Sequence, residues 1–252
     1  MRTSVEIRAV VFDMGGTLED VYYDDDWRLK ATPGFREILA KHDLDPGLSI
    51  PDLYAVIKAG MTKYGAWREK TEQEMPPEQV WSRFVFKKNQ GWPKEKLAAI
   101  GEELAFYWDT RFSHRMLRPE SREVLAALHG RGFRLGVISN ILSRQMVPFK
   151  LDEYGLTRYF PVVLASASFG WRKPSPHIFL EATRLLDLPP AACAYVGDTV
   201  SRDVIGARRA GYGLVIQIKS FLTGMADKAS VTEQPDAVVQ NLLEVVDLVT
   251  LS

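Results

Sequence analysis

Four places in this 252-residue chain put polar residues at the end of an apolar run. Asp13 follows Ile7–Phe12 and leads into Gly15 and Gly16. Ser139 and Asn140 follow Phe133–Ile138, Arg172 and Lys173 lie just past Val162–Ala165, and Asp198 follows Ala194–Val196 with Asp203 close behind. Singly, each has an ordinary reading: Asp or Ser after a strand is often a helix cap or turn former, and Asp203 lies near Arg202, Arg208 and Arg209 for pairing on a helix face. Jointly they describe phosphate chemistry. A carboxylate approaching phosphorus meets like charge, so a site for that reaction must bring a cation and hydrogen-bond donors. Asp13, Asp198 and Asp203 make a hard-oxygen set suited to Mg²⁺. Lys173 supplies a fixed positive charge, and Ser139, Asn140 and the Gly15 and Gly16 amides are candidate donors to phosphoryl oxygens.

Residues so far apart meet only if the elements bring them together. The four runs, with Leu214–Ile218 and Ala237–Val239, are separated by helical patterns, which is the rhythm of a doubly wound parallel α/β sheet covered on both faces. In such a sheet the ligand site lies beyond the carboxyl ends of the strands. Between the first run and the second lies a gap of about 120 residues, helical in character. Thr32-Pro33, Ser49-Ile50-Pro51, Pro76-Pro77 and Trp92-Pro93 look like helix starts. The expected organisation is a core of residues 1–20 and 116–252 with a helical insertion at 21–115. Further helices are expected over Pro119–Arg131, from Ser175-Pro176, and over Val200–Ala210 with Gly211 closing it; Gln234–Ser252 reads as a last strand and helix.

Lys+Arg and Asp+Glu number 32 each, so no net field favours a nucleic acid or an anionic membrane. No apolar run approaches the roughly 18 residues a membrane span needs, and Glu6 and Arg8 interrupt any leader-like segment, so the expectation is a cytoplasmic protein. Cys193, the one cysteine, reads as a small core residue. The histidines His42, His114, His129 and His177 lack ligand-like spacing for zinc. Arg172, beside Lys173, reads as a second phosphate contact or a surface charge, and the surface is the favoured expectation. The aromatics Tyr22, Tyr23, Trp27, Trp67, Trp81 and Trp92 are candidates for a substrate pocket, though such residues are more often core; Tyr22, Tyr23 and Trp27 stand first because they directly follow the Asp13 loop.

The segments VFDMGGTL, VISN, RKPSP and VGDTVSRD resemble, in order, the four motifs of the haloacid dehalogenase superfamily of hydrolases, over about residues 6–20 and 116–240. The helical insertion resembles that family's type-1 cap, hinged near residues 20 and 115. The resemblance implies a phosphatase acting on a small phosphorylated metabolite. Asp13 would be the nucleophile that forms an aspartyl-phosphate, Ser139 would hold the phosphoryl group, and Lys173 would steady the developing charge. Asp13, the Gly15 carbonyl, Asp198 and Asp203 would hold Mg²⁺.

The chain departs from the pattern at Gly15, where phosphatases of the family carry a second Asp that protonates the leaving group. Glu19, Asp20, Asp24, Asp25 and Asp26 are the candidate replacements, and a substrate with a good leaving group is another escape. Two alternatives stay open. One is a phosphate-binding protein without turnover; the other is a phosphonate or carbon–halogen hydrolase, the phosphonate case needing a Schiff-base lysine among Lys30, Lys58, Lys63 and Lys70. The sequence does not specify an oligomeric state.

Overall fold

In the computed structural model the described residues are 6–86, 92–226 and 233–250, so residues 1–5, 227–232 and 251–252 of the expected core and 87–91 of the expected insertion lie outside them. The strands are β1 (Ala9–Asp13), β2 (Glu19–Tyr22), β3 (His114–Leu117), β4 (Arg134–Ser139), β5 (Val162–Ala165), β6 (Cys193–Gly197), β7 (Leu214–Ile218) and β8 (Ala237–Val239). The helices are α1 (Asp25–Lys41), α2 (Ile50–Thr71), α3 (Pro77–Val80), α4 (Lys94–Ala99), α5 (Gly101–Arg111) and α6 (Ser121–Gly130). They continue with α7 (Met146–Glu153), α8 (Ser166–Phe169), α9 (Pro176–Leu185), α10 (Ile205–Ala210), α11 (Phe221–Ala226) and α12 (Leu243–Thr250).

Six strands form one parallel sheet in the order β5-β4-β1-β6-β7-β8. β1 is central because every residue of Ala-Val-Val-Phe-Asp is buried, as a strand covered on both faces requires. Alternate side chains go to opposite faces. Val10 and Phe12 join Leu135, Val137 and Ile216 against α6, α7 and α12, while Ala9 and Val11 join Tyr195 and Val215 against α9 and α10. The chain runs from β1 out to β4 and β5, then returns to place β6 on the other side of β1. This reversal opens the crevice at the carboxyl ends where a doubly wound sheet takes its ligand.

The helical insertion has its own core, with Phe35, Leu39, Leu53, Ile57, Tyr64, Trp81, Leu104 and Phe112 at its centre. α2 begins as its sequence demands: Ser49 caps it, accepting from the Asp52 N–H at 3.3 Å, and Pro51 stands in the first turn. The expected start at Thr32-Pro33 is displaced. α1 begins eight residues before Pro33, capped by Asp24, whose carboxylate accepts from the Trp27 N–H at 2.7 Å, and Pro33 lies inside the helix. The Trp92-Pro93 helix is two, α4 and α5, broken at Ile100. Val200–Val204 is a π-helical turn before α10 begins, and Gly211 closes α10 in the left-handed conformation.

The antiparallel ribbon of β2 and β3 was absent from the sequence reading. It pairs Glu19 with Leu117 and Tyr22 with His114, and so carries both crossings between sheet and insertion. Among the described residues no helix is long and apolar enough to cross a membrane.

Candidate active site

Asp13 ends β1 beside Ile138, the last residue but one of β4, so Ser139 lies next to it at the same edge. Both are buried. The Asp13 Oδ1 accepts from the Met14 N–H at 2.7 Å and from Lys173 Nζ at 2.7 Å. Lys173 also donates to Asp203 Oδ1 at 2.6 Å and to the Tyr195 hydroxyl at 3.0 Å. Its backbone is gripped at both ends by one side chain: the Lys173 N–H donates to Asn140 Oδ1 and Asn140 Nδ2 donates to the Lys173 carbonyl, each at 2.9 Å. The Asn140 amide, expected on the phosphoryl group, is therefore committed to holding Lys173.

Asp203 does not pair with Arg208 or Arg209 as its ordinary reading would have it. It faces inward from the π-helical turn, where Oδ2 accepts from the Thr199 N–H at 3.0 Å and from Thr199 Oγ1 at 2.6 Å. Burial would raise its pKa, but Lys173 and Arg202 hold it below the usual carboxylate value. Asp198 lies just past β6. Its Oδ2 accepts from the Ser220 hydroxyl, and its carbonyl from Thr223 Oγ1 at 2.7 Å and Gln217 Nε2 at 3.0 Å.

One carboxylate oxygen from each of Asp13, Asp198 and Asp203 lies within 4.8 Å of the other two, the single such group among the described residues. Burial is the main reason Asp13 is pushed up to about 6 and Asp198 to about 8, with the neighbouring carboxylates adding in each case. Such a cluster calls for a cation. Asp198 Oδ1 is buried and has no hydrogen-bond partner, which is the arrangement a hard oxygen-loving ion would satisfy. Arg202 lies near all three carboxylates. Burial works against its charge, and they outweigh that effect and raise its pKa.

The turn after Asp13 is close-built. Gly16 has φ +89°, and a Cβ there would overlap the Asp198 carboxylate. The Gly16 N–H, expected to face a phosphoryl oxygen, donates instead to the Glu19 carbonyl at 2.7 Å. Gly15 is different: a Cβ there would lie 3.3 Å from a Val21 methyl, 3.4 Å from Arg115 Nη1 and 3.9 Å from Glu19 Oε1. Glu19 is fully buried, ion-paired with Arg115 and bonded by the Tyr154 hydroxyl at 2.9 Å.

Of the other acids proposed to replace a second Asp, Asp26 is exposed and three are engaged elsewhere. Asp20 pairs with Arg118, Asp24 caps α1, and Asp25 takes Lys58 and the Tyr54 hydroxyl. Lys30, Lys58, Lys63 and Lys70, the candidates for a Schiff base, are all exposed, and Lys58 is ion-paired with Asp25. Tyr22 and Trp27 are 46% and 38% exposed, and Tyr22 and Tyr23 both pack on Phe221. Trp81 is core of the insertion, with Trp67 and Trp92 packed against that core. Cys193 is buried in β6, and burial pushes its thiol up to about 11.

Sequence reasoning missed Tyr195, Thr199, Ser220 and Thr223, which hold Asp203, Lys173 and Asp198, whereas Arg202, named beside Asp203, does lie near it. Tyr195 offered a faint signal, a hydroxyl inside the apolar run Ala194–Val196. Arg172 overturns its expected surface position, being only 4% exposed.

Comparison with known proteins agrees with this geometry. A sequence profile of haloacid dehalogenase-like hydrolases matches residues 7–211. The chain is 27% identical to a glyceraldehyde 3-phosphate phosphatase of Methanopyrus kandleri over 96% of its own length and 97% of that protein's. It is 30% identical to a phosphoglycolate phosphatase of Nitrosococcus oceani over 69% and 76% of the two chains. Among solved structures, a 2-haloacid dehalogenase from Pseudomonas syringae superposes with a TM-score of 0.66 at 23% identity, covering 97% of this chain and 98% of that one. An HAD phosphatase from Thermococcus onnurineus gives 0.61 at 21% identity, covering 96% and 97%. The sheet order, the acids gathered at its carboxyl edge and the span of the sequence match together place this chain in the haloacid dehalogenase-like hydrolase family.

Proposed function

We propose that the protein is a Mg²⁺-dependent phosphatase that acts on a small phosphorylated metabolite through an aspartyl-phosphate on Asp13. The observation that carries this reading is the contact of Lys173 with both Asp13 and Asp203, at 2.7 and 2.6 Å, beside the unsatisfied Asp198 oxygen. The Asp13 carboxylate attacks phosphorus, the bond from phosphorus to the leaving oxygen breaks, and water then hydrolyses the aspartyl-phosphate to return the carboxylate. Oδ1 is pinned by Met14 and Lys173, which fixes the direction in which the carboxylate presents itself. Lys173 offsets the negative charge gathering between nucleophile and phosphoryl group. Ser139 at the neighbouring strand end is the proposed phosphoryl donor. Asp13, Asp198, Asp203 and the Gly15 carbonyl are the proposed holders of Mg²⁺. That ion, when bound, screens phosphate charge and polarises its oxygens.

Residues 21–115 are the proposed cap, moving on the β2–β3 ribbon to exclude water. With Glu19 tied to Arg115 and no acid at Gly15, the leaving group departs without a strong proton donor. Aryl and acyl phosphates should therefore turn over faster than alkyl phosphates. Several relatives carry phosphatase names, which supports the substrate class.

The test is hydrolysis of p-nitrophenyl phosphate and a panel of phosphorylated metabolites after chelation, with and without added Mg²⁺. Mg²⁺ should restore turnover, and Asp13→Asn should lower it by at least about a thousandfold. Turnover that survives Asp13→Asn would overturn the nucleophile. Haloacid turnover without metal would replace the phosphatase reading by dehalogenation, and phosphate binding with no turnover of any substrate would favour a silent binder.

A further inference from the structure

Arg172 is buried at the seam between sheet and insertion. The segment after α2 runs antiparallel to the loop that presents Lys173: the Glu74 N–H donates to the Gly170 carbonyl at 2.9 Å, and the Arg172 N–H to the Glu72 carbonyl at 3.0 Å. The Arg172 guanidinium thereby meets Glu74, but loosely. Nη1 lies 3.5 Å from Glu74 Oε2 and makes no hydrogen bond at all. The Glu74 carboxylate is already taken by the Tyr64 hydroxyl and by Ser166 Oγ at 2.8 Å. Arg68, from α2, reaches the same carboxylate at only 3.8 Å.

Two guanidiniums thus share one carboxylate that two hydroxyls have largely satisfied. Burial, the nearby Arg68 and, more weakly, Arg202 pull Arg172 down to about 9, Glu74 opposing them. A buried cation with an open donor and like-charged neighbours is costly unless an anion arrives to use it. The place is also right for a substrate. Arg172 adjoins Lys173 in the chain, and Ser166 Oγ, which donates to Glu74, accepts from the Ile141 N–H at 3.0 Å just past Ser139 and Asn140.

We propose that Arg172, with Arg68 beside it, forms a second anion subsite that takes a carboxylate or second phosphate at the end of the substrate remote from the transferred phosphoryl group. The proposal rests on the phosphatase reading and narrows it to phosphorylated compounds with a further negative group. Glu74 orients the guanidinium, and the Tyr64 and Ser166 hydroxyls keep that carboxylate from saturating it. A planar fork of donors suits either anion, with a carboxylate or phosphate bound through two parallel bonds.

The test is equilibrium binding to Asp13→Asn protein in the presence of Mg²⁺, which separates recognition from turnover. The ligands are 2-phosphoglycolate, propane-1,3-diol bisphosphate and ethyl phosphate, whose tails are a carboxylate, a phosphate and a neutral methyl. At least one of the first two should bind ten-fold or more tighter than ethyl phosphate, and which one does identifies the anion. Adding Arg172→Gln should reduce that preference to under about threefold. Because this change removes the nearer of the two cations beside Glu74, the pair Arg172→Gln with Glu74→Gln is measured alongside and should lose the preference equally. A preference that is absent in the Asp13→Asn protein, or that persists in either Arg172 variant, overturns the subsite and leaves the phosphatase reading standing. Failure of all three ligands to bind overturns both.

Discussion

Gly16 and Gly15 stand side by side yet answer to different constraints. At Gly16 the backbone takes φ +89°, and any Cβ would enter the space of the Asp198 carboxylate. Gly16→Ala should therefore lose stability, by roughly 1 kcal/mol for the left-handed conformation alone. It should also lose a larger share of Mg²⁺-dependent turnover, because Asp198 must shift. Thermal midpoints and Mg²⁺ titrations of activity check both halves, and an alanine variant with parental Mg²⁺ dependence would refute the second. Gly15 is tight but not blocked: a Cβ would lie 3.3 Å from a Val21 methyl, which must give by a few tenths of an ångström, and 3.4 Å from Arg115 Nη1, the far end of a flexible side chain. Gly15→Asp should fold, and its carboxyl would reach Arg115. That cation keeps the new group acidic, so the gain on alkyl phosphates should sit near the low end of general acid catalysis, about a hundredfold in kcat/KM, with little change on p-nitrophenyl phosphate. Equal effects on the two substrates would mean that leaving-group protonation is not limiting. Asp13, Ser139 and Asp198 were legible because each follows an apolar run, and Lys173 because it lies in the segment after one; Thr199 and Ser220 were not, since what they touch is set by folding rather than by spacing.

Elements explain why the seam escaped sequence reading. β2 and β3 are four residues each and stand far apart in the chain, too short for an alternation to declare itself. The start of α1 was hidden by Pro33, which imitates a first-turn proline, while Asp24 performs the capping within an acidic run that reads as solvated. α5 carries a further surprise in Asp109, whose Oδ2 accepts from the Leu142 and Ser143 N–H groups at 3.0 and 2.7 Å and ties the insertion to the loop after β4. Burial is the main cause that pushes this carboxyl up to about 7, with Arg115 and the Ser143 amide opposing it. Unfolded, it titrates near 3.9. Between those values the folded chain binds the extra proton, so Asp109 favours folding as pH falls toward 4 and loses that contribution as pH rises through 7. The ceiling is about 1.4 kcal/mol per unit of displacement. Asp109→Asn keeps an acceptor for both amides and has no proton to exchange. It should flatten this part of the pH profile and be the more stable protein at pH 8. Urea midpoints at pH 5 and pH 8 measure this, and an Asn variant with the parental slope would assign it to other groups.

At the scale of the whole molecule the parallel sheet was readable from apolar runs, because strands buried on both faces need no partner in the sequence to be recognised. The docking of the insertion was not, since it joins residues far apart in the chain, such as Glu74 with Gly170 and Glu72 with Arg209 at 2.8 Å. The Glu74 contact and those of Asp109 fasten the insertion to the segments that follow β5 and β4, the one bearing Lys173 and the other beginning next to Ser139, while Glu72 reaches α10. A cap that swings as one body on the β2–β3 ribbon must break them all at once. The amides of Glu74, Arg172, Leu142 and Ser143 should then exchange hydrogen with one common opening free energy, lower than that of β1. Mg²⁺ with beryllium fluoride, which mimics a bound phosphoryl group, should protect all four by the same factor, because a ligand that stabilises only the closed form shifts one equilibrium. Protection confined to Leu142 and Ser143, with Glu74 and Arg172 unchanged, would show that the insertion loosens piecewise and that Lys173 keeps its place whether or not the site is covered.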